Sequence, residues 1–569
     1  MNADFDVVII GVGAAGIGAA RALAASGRST LWLEASSRLG GRAWTVEIAG
    51  HRLDLGCGCG WLHSGDRNSW RRIAEEAGVA VDRRPAKWGV QYRNLCFSPD
   101  ERKAARAAFS AWMERLTDAP PPSDRAADAL PEGGEWNGYV RAIGGFISGA
   151  PLERISVSDY LAYDSAATDV NLRAPDGYGD LIVASLPFEV TPRLSTPVEG
   201  IELKPQGVAV RTRNGALRAR TAIVTVSTAV LAGGGIRLPS ALDPWREAAG
   251  FLPLGRNEKL FPEVVGENPF APETHELGNP RDVTTATYYI RPFGWNVIEC
   301  FFGSEGAQMI EENGPAAGFD FAVGELAALF GTKVRRCLRP LVASSWSRTT
   351  RIGGACSYAL PGQAAARQRL AQPFEDRLFF AGEATNGQDF STAHGAHDSG
   401  ARAAQEALAA PRARRQSIGS SAPDPSWPFA LIVITKVHEA AFQVLSSAAL
   451  EETCKAPRED ISSDNDNGSR RHATHSDSRH ASHSRHASRS HSRDASRRSR
   501  SPARPPHRRR HSHSDDSPRK VRDESRCRSP LRRTSHTEPK TRAARSASPG
   551  PEQPRARTVL WPQQQELFA

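Results

Sequence analysis

The first 34 residues restrict the fold of this chain more than any other stretch. A short apolar run over Phe5–Ile10 is typical of a strand buried on both faces of a parallel sheet. It is followed by a glycine-rich segment at 11–16, an Ala-rich helical stretch over 17–26, and a second apolar run over 29–33 that ends on Glu34. This order predicts a βαβ unit whose acidic residue lies 23 positions after the first glycine.

The segment at 11–16 reads GVGAAG, and each glycine has a physical reason. The first lets the chain turn off the strand, the second leaves room for a pyrophosphate beside the backbone, and the third lets the helix pack closely. The helix N-terminus directs free N–H groups and a partial positive charge at the phosphates, and the acid accepts ribose hydroxyls. A glycine turn without ligand is the alternative, but the whole pattern favours dinucleotide binding. The expected contacts are Gly11, Gly13, Ala14, Ala15, Gly16 and Glu34.

The residues after the acid select the dinucleotide. The segment 39–42 reads LGGR, and LGGR after such a βαβ unit resembles the flavin-dependent amine oxidases, which include monoamine oxidases, polyamine oxidases and lysine-specific histone demethylases. The resemblance implies that Gly41 brings backbone close to FAD and that Arg42 faces the pyrophosphate. Ser36 departs from the pattern, since many members carry a second arginine there.

Two further segments resemble parts of the same family that border the cofactor. The stretch 54–64, DLGCGCGWLHS, is a slightly longer copy of an element beside the flavin ring, which implies that Gly60 and Trp61 lie against the isoalloxazine. The sheet pattern over 191–198 resembles the start of the second flavin segment and places the backbone of Val198 beside the adenine.

The resemblance gives three residues catalytic roles. Lys259 lies in the apolar phrase LPLGRNEKLF, where its ammonium needs partners, and the family places a lysine there that holds water at flavin N5. The alternative is a strand-edge lysine whose head reaches solvent. Tyr358 is expected to form one aromatic wall over the flavin, and Thr392 stands where relatives place the opposite wall. Trp346 matches a tryptophan before the flavin-facing strand, while Arg351 replaces another aromatic residue.

The most specific match is FAGEAT, followed by STAHGA. Gly382 and Glu383 end an apolar strand, and Gly395 and Ala396 open a helix whose N-terminus can stabilise negative charge at flavin N1 and O2. Cys356 does not align with the cysteine that bonds the flavin in monoamine oxidases, so FAD is expected to bind non-covalently.

The order of these motifs predicts an α/β, Rossmann-like FAD-binding domain in three segments, with an inserted α+β substrate domain. The insertions lack nucleophile or metal-ligand spacing, and no metal is expected. The FAD-binding segments are 1–78, 191–240 and 341–410, and the substrate-domain parts are 79–190 and 241–340.

The remainder, 411–569, has a different composition. It carries 31 Lys and Arg against 17 Asp and Glu, about +14, whereas the first 410 residues carry 42 against 46. The part over 469–549 is rich in Arg, Ser, His and Pro and cannot bury enough apolar surface to fold, so it is predicted to be disordered. It resembles the arginine-serine-rich tails of RNA-associated proteins and predicts non-specific binding to nucleic acid or acidic proteins. A solvated extension without a partner is the alternative.

The compartment follows from cysteine usage and signals. Eight cysteines form no CxxC pair, and the first residues leave no room for a secretory signal. The apolar stretch over 427–450 is interrupted by charges, so it predicts an amphipathic helix rather than a membrane span. A reducing cytoplasmic location is expected, or a nuclear one in a eukaryote because of the basic tail.

The family resemblance implies an FAD-dependent amine oxidase acting on CH–NH or CH–NH2 groups. A hydride passes from the carbon beside the amine nitrogen to flavin N5, the resulting imine is hydrolysed, and dioxygen is reduced to hydrogen peroxide. The implied partners are a small-molecule amine and dioxygen. Three alternatives remain: a desaturase or other oxidoreductase of the superfamily, a chromatin- or RNA-associated oxidase addressed by its tail, and a catalytically silent flavoprotein.

Overall fold

The structure, a computed structural model, describes residues 3–56, 60–88 and 97–411. Residues 57–59, the predicted amphipathic helix over 427–450 and the basic tail lie outside the described residues. Among the residues that are described, no helix is long and apolar enough to cross a membrane.

Helices and strands come mostly in runs along the described chain, and they alternate only near its two ends. The strands are β1 (Phe5–Ile10), β2 (Thr30–Leu33), β3 (Thr45–Ile48), β4 (His51–Asp54), β5 (Val198–Lys204), β6 (Gly207–Thr212), β7 (Gly215–Val224), β8 (Asn257–Val264), β9 (Thr274–Leu277), β10 (Thr287–Ile290), β11 (Ile298–Gly303), β12 (Leu338–Ala343) and β13 (Leu378–Phe380). The α-helices are α1 (Ala14–Leu23), α2 (Ser69–Glu76), α3 (Pro99–Asp118), α4 (Asn137–Ser148), α5 (Val157–Ala166), α6 (Tyr178–Ala184), α7 (Thr228–Ala232), α8 (Asp243–Gly250), α9 (Ser304–Asn313), α10 (Pro315–Phe330), α11 (Ala366–Ala371) and α12 (Ala393–Ala409).

The first sheet joins strands from three distant parts of the chain. Its order is β2-β1-β7-β6-β5, and β13 also pairs with β7. The pairs β1–β2, β1–β7 and β13–β7 are parallel. Ile9 packs into a core with α1 and α12, whereas Val8 and Ile10 pack into the core that contains α8. Both faces of β1 are therefore covered, as its continuous apolar run predicts, and the mixed α/β Rossmann-like fold is confirmed.

The second sheet is antiparallel and comes from one continuous part of the chain. Its order is β12-β8-β11-β10-β9. Leu260 and Phe302 pack against α9 and α10 on one face, so neighbouring residues on each strand point to the other face. Lys259 is one of those neighbours, and its position on β8 is therefore set by the alternation of the strand.

The prediction of sheet structure over 191–198 is largely wrong. Only an isolated bridge from Arg193 to Leu33 forms there, and β5 begins at Val198. Pro192 and Pro197 explain the difference, because proline has no backbone N–H to donate to a neighbouring strand. The proposed domain boundaries stay predictions.

Candidate cofactor cleft and active site

A cleft of about 1500 Å³, including solvent at its mouth, opens at the carboxyl ends of β1 and β2. Its lining comes from all three parts of the chain that build the first sheet. The predicted site residues that it contains are Gly11, Gly13, Ala14, Ala15, Glu34, Gly41, Arg42, Val198, Gly382, Glu383, Thr392 and Ala396.

The glycine turn has the backbone path that its sequence predicts. Gly11 has a φ of +101°, and a Cβ there would stand 2.6 Å from the hydroxyl of Thr225. A Cβ at Gly16 would stand 2.2 Å from the carbonyl oxygen of Gly11, so Gly16 lies behind the cleft and permits helix packing. Thr225, which the sequence reading missed, donates to the carbonyls of Ile10 and Gly11 at 3.0 and 2.9 Å and holds the turn.

The start of α1 is open to an anion. Gly13, its N-cap, offers no side-chain hydrogen bond, and the first turn contains no acidic residue. The carboxylate of Glu34 accepts the backbone N–H groups of Val12 and Ser36, both at 2.8 Å, which holds it at the cleft with lone pairs to spare. These residues fit the pyrophosphate and the adenosine ribose of FAD.

Arg42 and Glu383 form an ion pair at the cleft, with 2.8 Å between guanidinium and carboxylate. Glu383 also accepts the hydroxyl of Ser357 at 2.5 Å and the backbone N–H of Ser391 at 3.0 Å. Burial opposes the ionisation of Glu383, but Arg42 and Arg367 outweigh it and hold the pKa of this carboxyl below its ordinary value. The pair therefore stays charged at neutral pH.

A second buried ion pair, absent from the sequence-based prediction, supports the first. Arg367 is 2% exposed and binds the carboxylate of Asp159 at 2.6 and 2.9 Å. It also donates to the hydroxyl of Ser357 at 2.9 Å, and its guanidinium lies 3.5 Å from the ring centroid of Phe390. Ser357 thus connects this pair to Glu383. Arg367 and Asp159 are 208 positions apart, and no local sequence motif predicts their contact.

Lys259 is buried rather than directed to solvent. Its Nζ lies 2.9 Å from the carboxylate of Glu299 and 3.2 Å from the carbonyl oxygen of Asp54. A Cβ at Gly60 would stand 2.6 Å from Nζ, so the lysine adjoins the backbone that is predicted to face the flavin ring. The solvent-exposed alternative for this lysine is thereby wrong. Lys259 and Gly60 both lie outside the lining of the main cleft.

The predicted aromatic residues occupy different places. Tyr358 lines a small pocket beside the cleft with Tyr163 and Phe390, and burial raises its pKa. Trp61 lines another small pocket. The indole N–H of Trp346 donates to the carbonyl of Leu55 at 2.9 Å, so this buried ring braces the chain at Leu55 rather than lining the cleft.

The other predicted residues meet at the start of α12. Thr392 is its N-cap, and its hydroxyl accepts the backbone N–H of Gly395 at 3.0 Å. Cys356 lines the cleft nearby, but burial raises the pKa of its thiol to about 12. The thiol is therefore protonated and a poor nucleophile, which agrees with the expected non-covalent flavin. Across 3–56, 60–88 and 97–411, no cluster of His, Cys, Asp and Glu is placed to hold a metal ion.

The fold and the cleft together define a flavin-dependent α/β oxidoreductase. The chain belongs to the flavin-containing amine oxidoreductase family, whose model matches residues 82–408, and a model of the NAD(P)-binding Rossmann-like domain matches residues 9–77. The predicted family and FAD as its cofactor are therefore confirmed.

Named relatives agree with this assignment. Polyamine oxidase 2 of Arabidopsis thaliana is 26% identical over 445 residues, which cover 70% of this chain and 87% of the relative. Two solved structures share the fold: a wild-type putrescine oxidase bound to putrescine, with a TM-score of 0.59 and 19% identity, and cyclohexylamine oxidase from Brevibacterium oxydans IH-35A, with 0.55 and 21%. Each match covers 71% of this chain and 99% of the chain in the solved structure.

Proposed function

We propose that this enzyme oxidises a small-molecule amine and passes the electrons to dioxygen. The observation that carries the proposal is the buried Lys259, which is paired with Glu299 and stands beside Gly60, in a member of an amine oxidoreductase family. A buried ammonium with fixed partners is costly to build, which favours a functional over an incidental role.

The residues of the cleft bind and orient the cofactor. The open amides of α1 would hold the pyrophosphate, Glu34 the ribose, and Arg42, fixed by Glu383, the phosphate charge. Bound FAD would supply a two-electron acceptor for the hydride from the carbon beside the amine nitrogen. The substrate would be left as an imine that water hydrolyses, and the two electrons would pass on to dioxygen to give hydrogen peroxide.

Lys259 contributes a positioned positive charge away from bulk water. Its contacts with Glu299 and Asp54 fix the ammonium, so its orientation costs no reorganisation during reaction. The N-terminus of α12, whose first residues Ala393 and Ala396 line the cleft, provides a second positive field. Neither group needs to act as a strong base.

Anaerobic mixing with a panel of primary, secondary and poly-amines tests the proposal. We expect at least one amine to bleach the flavin absorbance, and admission of oxygen to restore it with one hydrogen peroxide per flavin. Failure of every amine to bleach the flavin would favour the silent flavoprotein. A product with a new carbon–carbon double bond, in place of an aldehyde or ketone, would favour the desaturase.

A further inference from the structure

A second pocket, smaller than the cofactor cleft, lies beside the buried lysine. Its volume is about 430 Å³ including solvent at its opening. Gly60 and Glu299, both neighbours of the Lys259 ammonium, form part of its wall. The rest of the wall includes Trp61, Arg173, Tyr289 and Phe293.

The charge of Arg173 is already balanced. This residue is 4% exposed, and its Nη2 donates to Asp82 and lies 3.0 Å from the carboxylate of Glu273. Arg84, which is largely exposed, binds the same two carboxylates from the outside, at 2.8 and 3.6 Å. Two arginines and two carboxylates therefore make a cluster with no net charge.

The remaining donors of Arg173 are its Nε and Nη1 groups. Nε and Nη1 are buried and lack a hydrogen-bond partner among the residues that the structure describes. Aromatic rings surround the guanidinium, with Cζ 4.4 Å from the ring centroid of Phe293 and 5.2 Å from those of Trp61 and Tyr289. Ring contact offsets part of the cost of these buried donors, but an acceptor atom would offset more.

The turn that carries Phe293 is held in place by the same cluster. Three residues at this turn have positive φ values, which residues other than glycine rarely adopt: +59° at Glu273, +47° at Arg291 and +55° at Phe293. The carboxylate of Glu273 accepts the backbone N–H of Phe293 and, at 2.5 Å, the hydroxyl of Tyr289. One carboxylate thus fixes the arginine and two of its rings together.

We propose that Arg173 and its aromatic rings form a subsite for an acceptor oxygen on the amine substrate, a carbonyl of a ketone or amide. The unpartnered donors select an acceptor, and the neutral cluster of Arg173, Arg84, Asp82 and Glu273 favours an uncharged one over a carboxylate. A flat carbonyl group also matches the ring-lined wall. The pocket adjoins Lys259, which carries the amine oxidation proposed above. This substrate class therefore rests on that proposed function.

Three amines of matched length test the subsite: butylamine, 4-aminobutanamide and 4-aminobutyrate. In the wild-type holoenzyme, we expect the amide to show an apparent Kd for anaerobic flavin reduction roughly tenfold or more below that of butylamine. Equal Kd values would overturn the proposal. Tighter binding of the carboxylate than of the amide would overturn the assignment of an uncharged oxygen.

Two variants test whether Arg173 itself produces the preference for the amide. Arg173→Lys keeps a charge for Asp82 and Glu273 but removes the Nε and Nη1 donors, so the preference for the amide should disappear. Arg84→Gln removes an ion pair from the same carboxylates without touching the pocket, so the preference should remain. Loss of the preference in both variants would show a structural role only and overturn the proposal.

Butanamide, which has no amine, separates this inference from the proposed function. Its binding is followed by the shift in flavin absorbance, without turnover, and should weaken in Arg173→Lys but not in Arg84→Gln. If no amine reduces the flavin, the proposed function fails while this titration still decides the subsite. Binding that is absent from the wild type, or equal in wild type and Arg173→Lys, would overturn the subsite alone.

Discussion

Lys259 and Glu299 form a buried ion pair across two antiparallel strands, with 2.9 Å between the ammonium and the carboxylate. The register pairs Lys259 on β8 with Phe301 on β11, so Glu299 is the next residue on the same face of β11. The sheet itself therefore supplies the counter-ion that makes a lysine with 2% exposure tolerable.

Replacement of Lys259 by methionine should leave the FAD content nearly intact, because the lysine lies outside the cofactor cleft. We expect amine-driven flavin reduction, reoxidation, or both to slow by roughly a hundredfold, the usual effect of losing a positioned electrostatic group. Stopped-flow absorbance measures both half-reactions. Lys204→Met is the matched control, since Lys204 is an exposed residue at the end of β5 and pairs with Glu202 at 2.8 Å. Unchanged rates in Lys259→Met would contradict the catalytic role.

Gly13→Val should yield a folded protein without flavin. Apart from its neighbours in the chain, the nearest described atom to a Cβ at Gly13 would be the carbonyl oxygen of Gly40, at 3.6 Å, so the fold accepts a side chain that occupies the place of the pyrophosphate. The ratio of flavin to protein absorbance and the circular dichroism spectrum measure the two effects. Gly324→Val, at a glycine with nothing within 4 Å of its Cβ, is the control. Stoichiometric FAD in Gly13→Val would refute the proposed contact.

Glu258 should make the enzyme less stable as the pH rises from about 4.5 to about 7. Burial raises the pKa of this carboxyl to about 7 from 4.5, despite hydrogen bonds donated by Ser344 and Trp346. As the pH rises, the unfolded chain loses this proton before the folded chain does. The free energy of unfolding therefore falls by about 3 kcal/mol across that window.

Urea unfolding of the wild type and Glu258→Gln, at about pH 5 and about pH 8, measures this contribution. The glutamine variant cannot titrate, so its stability relative to the wild type should increase at the higher pH. A difference that does not change with pH would mean that the carboxyl titrates normally in the fold.

Arg367→Met should lower the free energy of unfolding by about 3–5 kcal/mol, because it leaves the buried Asp159 without its cation. Asp159→Asn in the same chain should recover part of this loss, which a double-mutant cycle would show. Arg246→Met, which breaks the exposed pair with Asp243, should cost less than about 1 kcal/mol. Equal effects at the two sites would mean that the buried pair contributes no more than a surface pair.

A chain that ends at residue 411 should keep its flavin and its activity and lose any retention on nucleic acid. The reason is charge: about +14 lies beyond residue 410 and about −4 before it. Retention of the full chain on RNA and DNA columns should also weaken steeply with salt. Retention by the shortened chain would place the binding surface in the first 411 residues, and loss of its activity would place the tail within the catalytic body.

Local sequence determined the first βαβ unit, the hairpin between β6 and β7, and the position of Glu34. Glycines impose turns, and apolar runs impose buried strands. Asn214 and Gly215 favour a chain reversal, and there Thr212 pairs with Gly215 across a loop of two residues, 213 and 214. The physical constraint in each case acts between residues close in the chain. The family resemblance added the cofactor to this reading.

Only the tertiary structure decided which side chains meet. The partners Glu299 of Lys259 and Asp159 of Arg367, and the unpartnered donors of Arg173, depend on strand register and on the packing of segments far apart in the chain. Trp346 likewise braces Leu55 instead of lining the cleft. Residue types show that a buried charge needs a partner, but the partner is chosen by packing, because a shift of one residue in register turns each side chain to the opposite face.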